Sequence, residues 1–307
     1  MAFLPLRSVA IHEGARTTYA AWLTWLDEQL SDASCDRNEL CRRILTDLYF
    51  PELAGREPAD LSPSARVALA QMDPRNVTLE PEYYQEIDLE RYAPVKPLLW
   101  LWEMFDRSAL GENVDLGVRF RRLLARRVFR KCGRNFKAFP HVRISFGYNL
   151  DVGDNVVVHR HVLLDDRGGI RIGHGVSISD FANVYSHSHD IVDGRLVDTP
   201  ETVIEDGVRI TYHATILAGV RVAEDSMVGA GSILTKNTRP HTVFVGVPAR
   251  PVKEKPAGER DRRHPPRPTL SPTITKPPSP RTPAFGGGAR TTTTRRRSYS
   301  ESRETPA

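Results

Sequence analysis

Between Val152 and Leu234 an aliphatic side chain returns every sixth residue: Val152, Val158 and Leu164, then Ile172, Ile178 and Val184. After a gap the count resumes at Ile204, Ile210, Ile216, Val222, Val228 and Leu234. Four positions past the anchors stand small or β-branched residues, as at Val156, Ala182, Ala214, Ser226 and Ser232. A period of six fits neither the roughly 3.6 of a helix nor the alternation of a hairpin. It is the mark of a parallel β-helix, in which each hexapeptide forms one side of a triangular coil.

Two breaks interrupt the count. A two-residue excess at Arg167-Gly168-Gly169 fits a bulge at a coil corner. After Val184 the next anchor comes 14 residues late, which predicts a loop over roughly Asp190 to Val203. Asp193-Gly194 and Thr199-Pro200 inside it are turn signals. Loops on a rigid repeat are where binding residues collect. Residues 136–151 read as an irregular first coil, and since Phe146-Gly147 falls one repeat before Val152 the β-helix is expected to begin about there.

Upstream the period changes. Residues 1–135 read as mainly helical, with apolar residues three and four apart over Arg16 to Leu30 and Asn38 to Tyr49. Asp36 is a candidate N-cap, with Glu39 three positions on. Prolines 51, 58, 63, 74, 81, 94 and 97 then predict short helices joined by loops. Leu116 to Arg134 holds eight Lys/Arg and no acid, with Phe120, Leu123, Leu124, Val128 and Cys132 on one prospective helical face. Such a helix can lie on an anionic membrane. The favoured reading is a cap, because the open end of a β-helix needs cover.

Charge changes the picture little. The formal net charge is +5, yet residues from Glu254 onward hold 12 Lys/Arg and 5 Asp/Glu, leaving 31 and 33 in the rest. A near-neutral body argues against a nucleic-acid partner. The tail 254–307, with ten of the 23 prolines and almost no large apolar residue, is expected to be disordered. Domains are therefore expected at 1–135, 136–253 and 254–307. Three cysteines, Cys35, Cys41 and Cys132, are read as free thiols. The start lacks the apolar core of a secretory signal and the longest apolar run is too short to span a bilayer, so the expectation is a cytoplasmic protein.

Chemistry concentrates in Asn183-Val-Tyr-Ser-His187-Ser-His189-Asp190, at the root of the expected loop. Imidazole titrates near neutrality and can take a proton from a hydroxyl. His159, His161, His187, His189 and His213 also allow a zinc reading, although no spacing matches a familiar ligand set.

These motifs resemble the hexapeptide-repeat acyltransferases, and among them the O-acetyltransferases of maltose, galactosides and polysaccharide units. The resemblance covers roughly 147–253. It rests on Ser-His-Ser-His-Asp before a loop, Ile216-Leu-Ala-Gly-Val220, Val228-Gly-Ala-Gly-Ser-Ile-Leu-Thr-Lys236 and Val245-Gly-Val-Pro-Ala-Arg-Pro-Val-Lys253. It implies an all-β left-handed parallel β-helix, a homotrimer, acetyl-CoA as acyl donor in a groove between neighbouring helices, and no metal.

It also implies residue roles. His189 falls at the catalytic base, His187 is secondary, and the backbone N–H of Tyr212 falls at the oxyanion donor. Ala230 matches the small residue against the pantetheine arm. Thr235, Lys236, Arg250 and Lys253 match polar and basic positions near the nucleotide, and Asp166 matches an acceptor-binding acid. The function implied is transfer of an acetyl group to a hydroxyl of a sugar or polysaccharide precursor, with N-acylation of an amino sugar a close variant. Alternatives of other classes are a zinc-dependent γ-carbonic-anhydrase-like enzyme and a non-catalytic β-helix scaffold. Neither needs the basic group at Lys236, Arg250 and Lys253.

Overall fold

The structure is a computed structural model, which describes residues 9–256. Of the tail expected to be disordered over 254–307, Glu254 instead ends a strand and the Lys255 amide donates to the His241 carbonyl, and residues from 257 on lie outside the described residues. Six α-helices come first: α1 (Glu13–Ser31), α2 (Arg37–Tyr49), α3 (Pro63–Ala70), α4 (Leu89–Tyr92), α5 (Lys96–Arg107) and α6 (Val114–Val128). The Asp36 carboxylate caps α2 by accepting from the amides of Asn38 and Glu39. Leu23, Leu26 and Leu30 of α1 are buried, and Trp22 stacks on Phe120 of α6 at 5.5 Å between centroids.

Helix α6 closes the end of the β-helix. Leu116, Phe120, Leu123, Leu124 and Val128 are buried, while Arg122 donates to the Phe136 carbonyl at 2.6 Å and Arg127 pairs with Asp27 at 2.9 Å. The apolar side is thus covered by protein. The chain turns extended at Phe129, so Cys132, expected on the helical face, instead lies in the strand Lys131–Cys132.

The buried Arg121 guanidinium locks cap to coil. It donates to Asp106 Oδ1 and to the carbonyls of Gly111 and Ala138, and Asp106 Oδ2 accepts the His141 amide at 2.7 Å. Burial pushes the Asp106 carboxyl up, against the pull of Arg121. Among the described residues no helix is long and apolar enough to cross a membrane.

From Lys131 the chain winds into a parallel β-helix with three faces. Face A runs Lys131–Cys132, Leu150–Val152, Ile170–Ile172, Thr202–Ile204 and Arg221–Val222. Face B runs Lys137–Ala138, Val157–Val158, Ser177–Ile178, Arg209–Ile210 and Met227–Val228, closed by the antiparallel pair Thr242–Gly246 and Ala249–Glu254. Face C runs Arg143–Ile144, Leu163–Asp165, Asn183–Tyr185, Thr215–Ile216 and Ile233–Leu234. All twelve sequence anchors are buried and fill the axis, each worth about 1.5–3 kcal/mol of apolar burial.

Register shows where the period fails. Cys132 lies opposite Val152 and Val152 opposite Ile172, so these coils take 20 residues each. Ile172 lies opposite Ile204, a coil of 32, and Ile204 opposite Val222, a coil of 18. The steps from face A to B and from B to C stay at six, as from Val152 to Val158 to Leu164. Every extra residue enters at one corner, between faces C and A. The β-helix therefore starts a full coil before Phe146-Gly147, and the 167–169 excess repeats one already present at Phe146–Asn149.

Candidate active site

The corner between faces C and A, hereafter the third corner, holds the chemistry. Its tightest point is Gly168, where a Cβ would lie 2.3 Å from the carbonyl oxygens of both Ser186 and Thr199. Only glycine lets the two ends of the long insertion close on the coil below. The insertion is less a free loop than a ribbon, with Ser188–His189 antiparallel to Val197–Asp198. Asp190 turns its tip by accepting the amides of Val192 and Asp193.

His189 sits at the root of this ribbon, exposed. Its Nδ1 lies 2.8 Å from the Gly194 carbonyl. A carbonyl can only accept, so Nδ1 carries a proton, and in the neutral ring the lone pair then lies on Nε2. The ribbon turn thus fixes the tautomer of the histidine it follows.

His187 lies beside it, the two rings perpendicular with centroids 5.5 Å apart. Its Nδ1 donates to the buried Asp165 carboxylate, which also accepts from Ser145 Oγ at 2.9 Å. Ser188, His187, Tyr185, Leu217, Ala218 and Thr235 line an open groove of about 440 Å³. Thr235 is therefore with His187, and Lys236 follows it, exposed.

Asp166 differs from expectation. It is fully buried, and its two oxygens accept the amides of Phe146 at 2.7 Å and Asn149 at 3.1 Å. Burial pushes its carboxyl up to about 6, opposed by those amides and by that of Gly147. The carboxylate shapes the corner from inside, and the acid that faces a histidine is its neighbour Asp165.

Tyr212, Ala230 and Arg250 lie elsewhere, at the corner between faces B and C. The Tyr212 amide has no hydrogen-bond acceptor among the described residues. Gly229 abuts Val245, to which a Cβ would come within 2.7 Å, and Val245 is in register with Arg250. Ala230 is exposed next to that contact. Lys253, two residues further along the strand from Pro251, is also exposed, and neither Lys236 nor Lys253 has an ion-pair partner among the described residues. Five residues separate Tyr212 from Leu217, roughly 16 Å of extended chain. The two groups stand at opposite ends of face C.

The histidines divide in the same way. His141, His161, Phe181 and His213 stack as a column at this second corner with centroids 4.8, 4.8 and 4.9 Å apart. His187 and His189 belong to the third. Among the described residues no group of three or more His, Cys, Asp or Glu side chains is placed to hold a metal ion.

Sequence reasoning missed three residues here. Arg167 is buried, pairs with Glu86 and lies 3.8 Å over the Tyr84 ring. Tyr84 and Glu86 come from the turn before α4, brought over by contacts such as the Tyr148 hydroxyl accepting the Asp88 amide at 2.9 Å. No period reveals that approach. The one available signal was Arg167 within the irregular 167–169 stretch.

No family model matches the chain. It is 30% identical over 149 residues to the galactoside O-acetyltransferase of Escherichia coli, covering 47% of this chain and 72% of that protein. It is 28% identical over 139 residues to the serine acetyltransferase of Salmonella typhimurium, covering 44% of this chain but only 51% of that protein. Among solved structures, a galactoside acetyltransferase in complex with coenzyme A matches with a TM-score of 0.51 at 26% identity, covering 59% of this chain and 89% of that one. Coiled faces, inserted corner and these relatives agree: the chain belongs to the hexapeptide-repeat acetyltransferases, the family of galactoside O-acetyltransferase.

Proposed function

We propose that this protein is a homotrimeric O-acetyltransferase that moves the acetyl group of acetyl-CoA to a hydroxyl of a sugar-type acceptor, with His189 as general base. The observation that carries the reading is the contact from His189 Nδ1 to the Gly194 carbonyl, which leaves Nε2 basic and free. The acceptor hydroxyl gives its proton to Nε2 as its oxygen attacks the thioester carbonyl. The tetrahedral oxyanion accepts the otherwise unbonded Tyr212 N–H. The C–S bond then breaks, and the CoA sulfur takes the proton back from the imidazolium.

Assembly follows from the separation of the two residue groups. His189, His187 and Thr235 stand at one corner, Tyr212, Ala230 and Arg250 at another, across face C. Neighbouring copies bring the third corner of one chain against the second corner of the next. Acetyl-CoA lies in the groove so formed, its pantetheine arm along Ala230 and its phosphates near Lys236, Arg250 and Lys253. The coenzyme A complex of a galactoside acetyltransferase supports that choice of donor.

The test is a transfer assay with acetyl-CoA and a panel of glycosides, reading thiol release and acetylated product together. His189→Ala should lower transfer by about 10²–10⁴-fold while binding of CoA persists. Transfer that survives this substitution refutes the assignment of the base.

A further inference from the structure

The third corner has a wall that the proposed mechanism does not use. Arg167 is buried, with its guanidinium sandwiched against Tyr84 at 3.8 Å and paired with Glu86. Its own backbone carbonyl accepts from Asn149 Nδ2 at 3.3 Å, so both ends of the residue are held. Two residues before it, Asp165 holds His187. Glu86 is thereby delivered to the side of His187 by a segment outside the β-helix.

Arg167 Nε engages Oε1 of Glu86, and the carboxylate also takes a hydrogen bond from its own backbone amide. Its two oxygens offer about four lone-pair sites, so acceptor capacity remains. Burial acts to raise this carboxyl, yet the Arg167 hydrogen bond, its own backbone amide and the Arg167 charge, with a smaller pull from His187, hold it below the usual carboxylate range. It is an ionised, immobilised acceptor at part-buried depth. The surrounding charges are the carboxylates of Asp165, Asp166 and Glu86 against the guanidiniums of Arg167 and Arg91.

We propose that Glu86 is a specificity-determining residue for the acceptor, whose carboxylate accepts a hydrogen bond from a hydroxyl next to the one that reacts. The excess of carboxylates selects a neutral polyhydroxylated acceptor. An acidic sugar is repelled by them. An amine is held by them as its ammonium, which has no lone pair with which to attack, so the wall favours O-acetylation over N-acetylation. The inference rests on the O-acetyltransferase reading above.

The test uses the full chain, acetyl-CoA and three matched probes: a neutral methyl glycoside, its amino-deoxy analogue and its uronate. The wild type should acetylate the neutral glycoside with kcat/KM at least about tenfold above the other two. Glu86→Gln should raise the KM for the neutral acceptor about tenfold, leave the acetyl-CoA KM within about twofold, and shrink the discrimination against the uronate. Glu86→Asp, which keeps the charge but withdraws it, should raise the acceptor KM while retaining that discrimination. It also carries the test if the Gln variant does not fold. An unchanged acceptor KM in the folded variants, or an equal rise in both KM values, overturns the role of Glu86 while the O-acetyltransferase reading stands. Wild-type transfer to the amine alone, or to none of the probes, overturns that reading and this inference with it.

Discussion

Two corners of the same coil have diverged. At the second corner the chain takes six residues in every turn and pays out none, and its turning residues are His141, His161, Phe181 and His213, all in the left-handed region at φ between 55 and 64°. Histidine tolerates that conformation better than most side chains, whereas phenylalanine there is an outlier. Their rings stack in one column, and the column offsets the backbone cost. The third corner carries two extra residues in each of the first two coils and 14 in the next. It is held by side chains gripping main chain: Asp166 on Phe146 and Asn149, Ser186 on Gly168 and Asp165. A regular corner repeats, so its turning side chains stack and what it offers a ligand is mainly backbone and small residues, as at Tyr212 and Ala230. A corner with inserted residues can present a different side chain in every coil.

If the site forms between the two corners, two inactive chains should repair each other. His189→Ala removes the base from the third corner, and Ala230→Trp fills the pantetheine path at the second. Each alone should abolish transfer. Coexpressed in equal amounts, they should restore about a quarter of wild-type activity, since random assembly leaves that share of sites intact. This is the largest effect expected, from none to a measurable rate. Mixed trimers without activity would mean that both residues serve one chain's own site.

A second test removes the anchor of the regular corner. Asp106 holds the His141 amide and Arg121 holds Ala138, so Arg121→Met leaves the Asp106 carboxylate buried and alone. The expected loss is about 3–5 kcal/mol in denaturant unfolding. A loss below about 1 kcal/mol would show that the cap and first coil do not depend on the pair.

How much was legible follows the same division. The anchors from Val152 to Leu234 specify the faces because a buried aliphatic at each sixth position is required by the axis itself. The same period marked its own failure after Val184 and so located His187 and His189. It gave no warning that coiling begins at Lys131, because Cys132 and Ala138 fill their places without resembling the later anchors. Asp166 came from the resemblance and not from the period: alternation across the strand Leu163–Asp165 ends there, and that Asp166 rather than Asp165 is fully buried depends on the corner's irregular backbone. Glu86 was invisible, since its place is set by packing of Tyr84 and Tyr148 against Arg167 and Arg91.

The burial of Asp166 is measurable. Its carboxyl, raised to about 6 from an ordinary value near 3.8, ionises in the unfolded chain before it ionises in the folded one. Between about pH 4 and 6 the native state binds more protons, so stability falls as pH rises through that window and levels off above it. Relative to Asp166→Asn, whose missing hydrogen bond is a constant offset, the wild type should lose about 1–3 kcal/mol across the window. Parallel pH profiles for the two proteins would place the carboxylate in water, where it could meet an acceptor after all.

The smallest effect belongs to the column. His161 stacks on His141 below and Phe181 above, at φ 56°. His161→Asn keeps a residue suited to the left-handed region and deletes two ring contacts, isolating stacking from backbone strain. The cost should be about 0.5–1.5 kcal/mol in thermal or denaturant unfolding. His161→Ala loses the same contacts and adds the strain of a β-carbon without Asn's tolerance, so it should cost more. Equal losses for the two variants would mean that the backbone strain is negligible, and the ring column would then have nothing to offset.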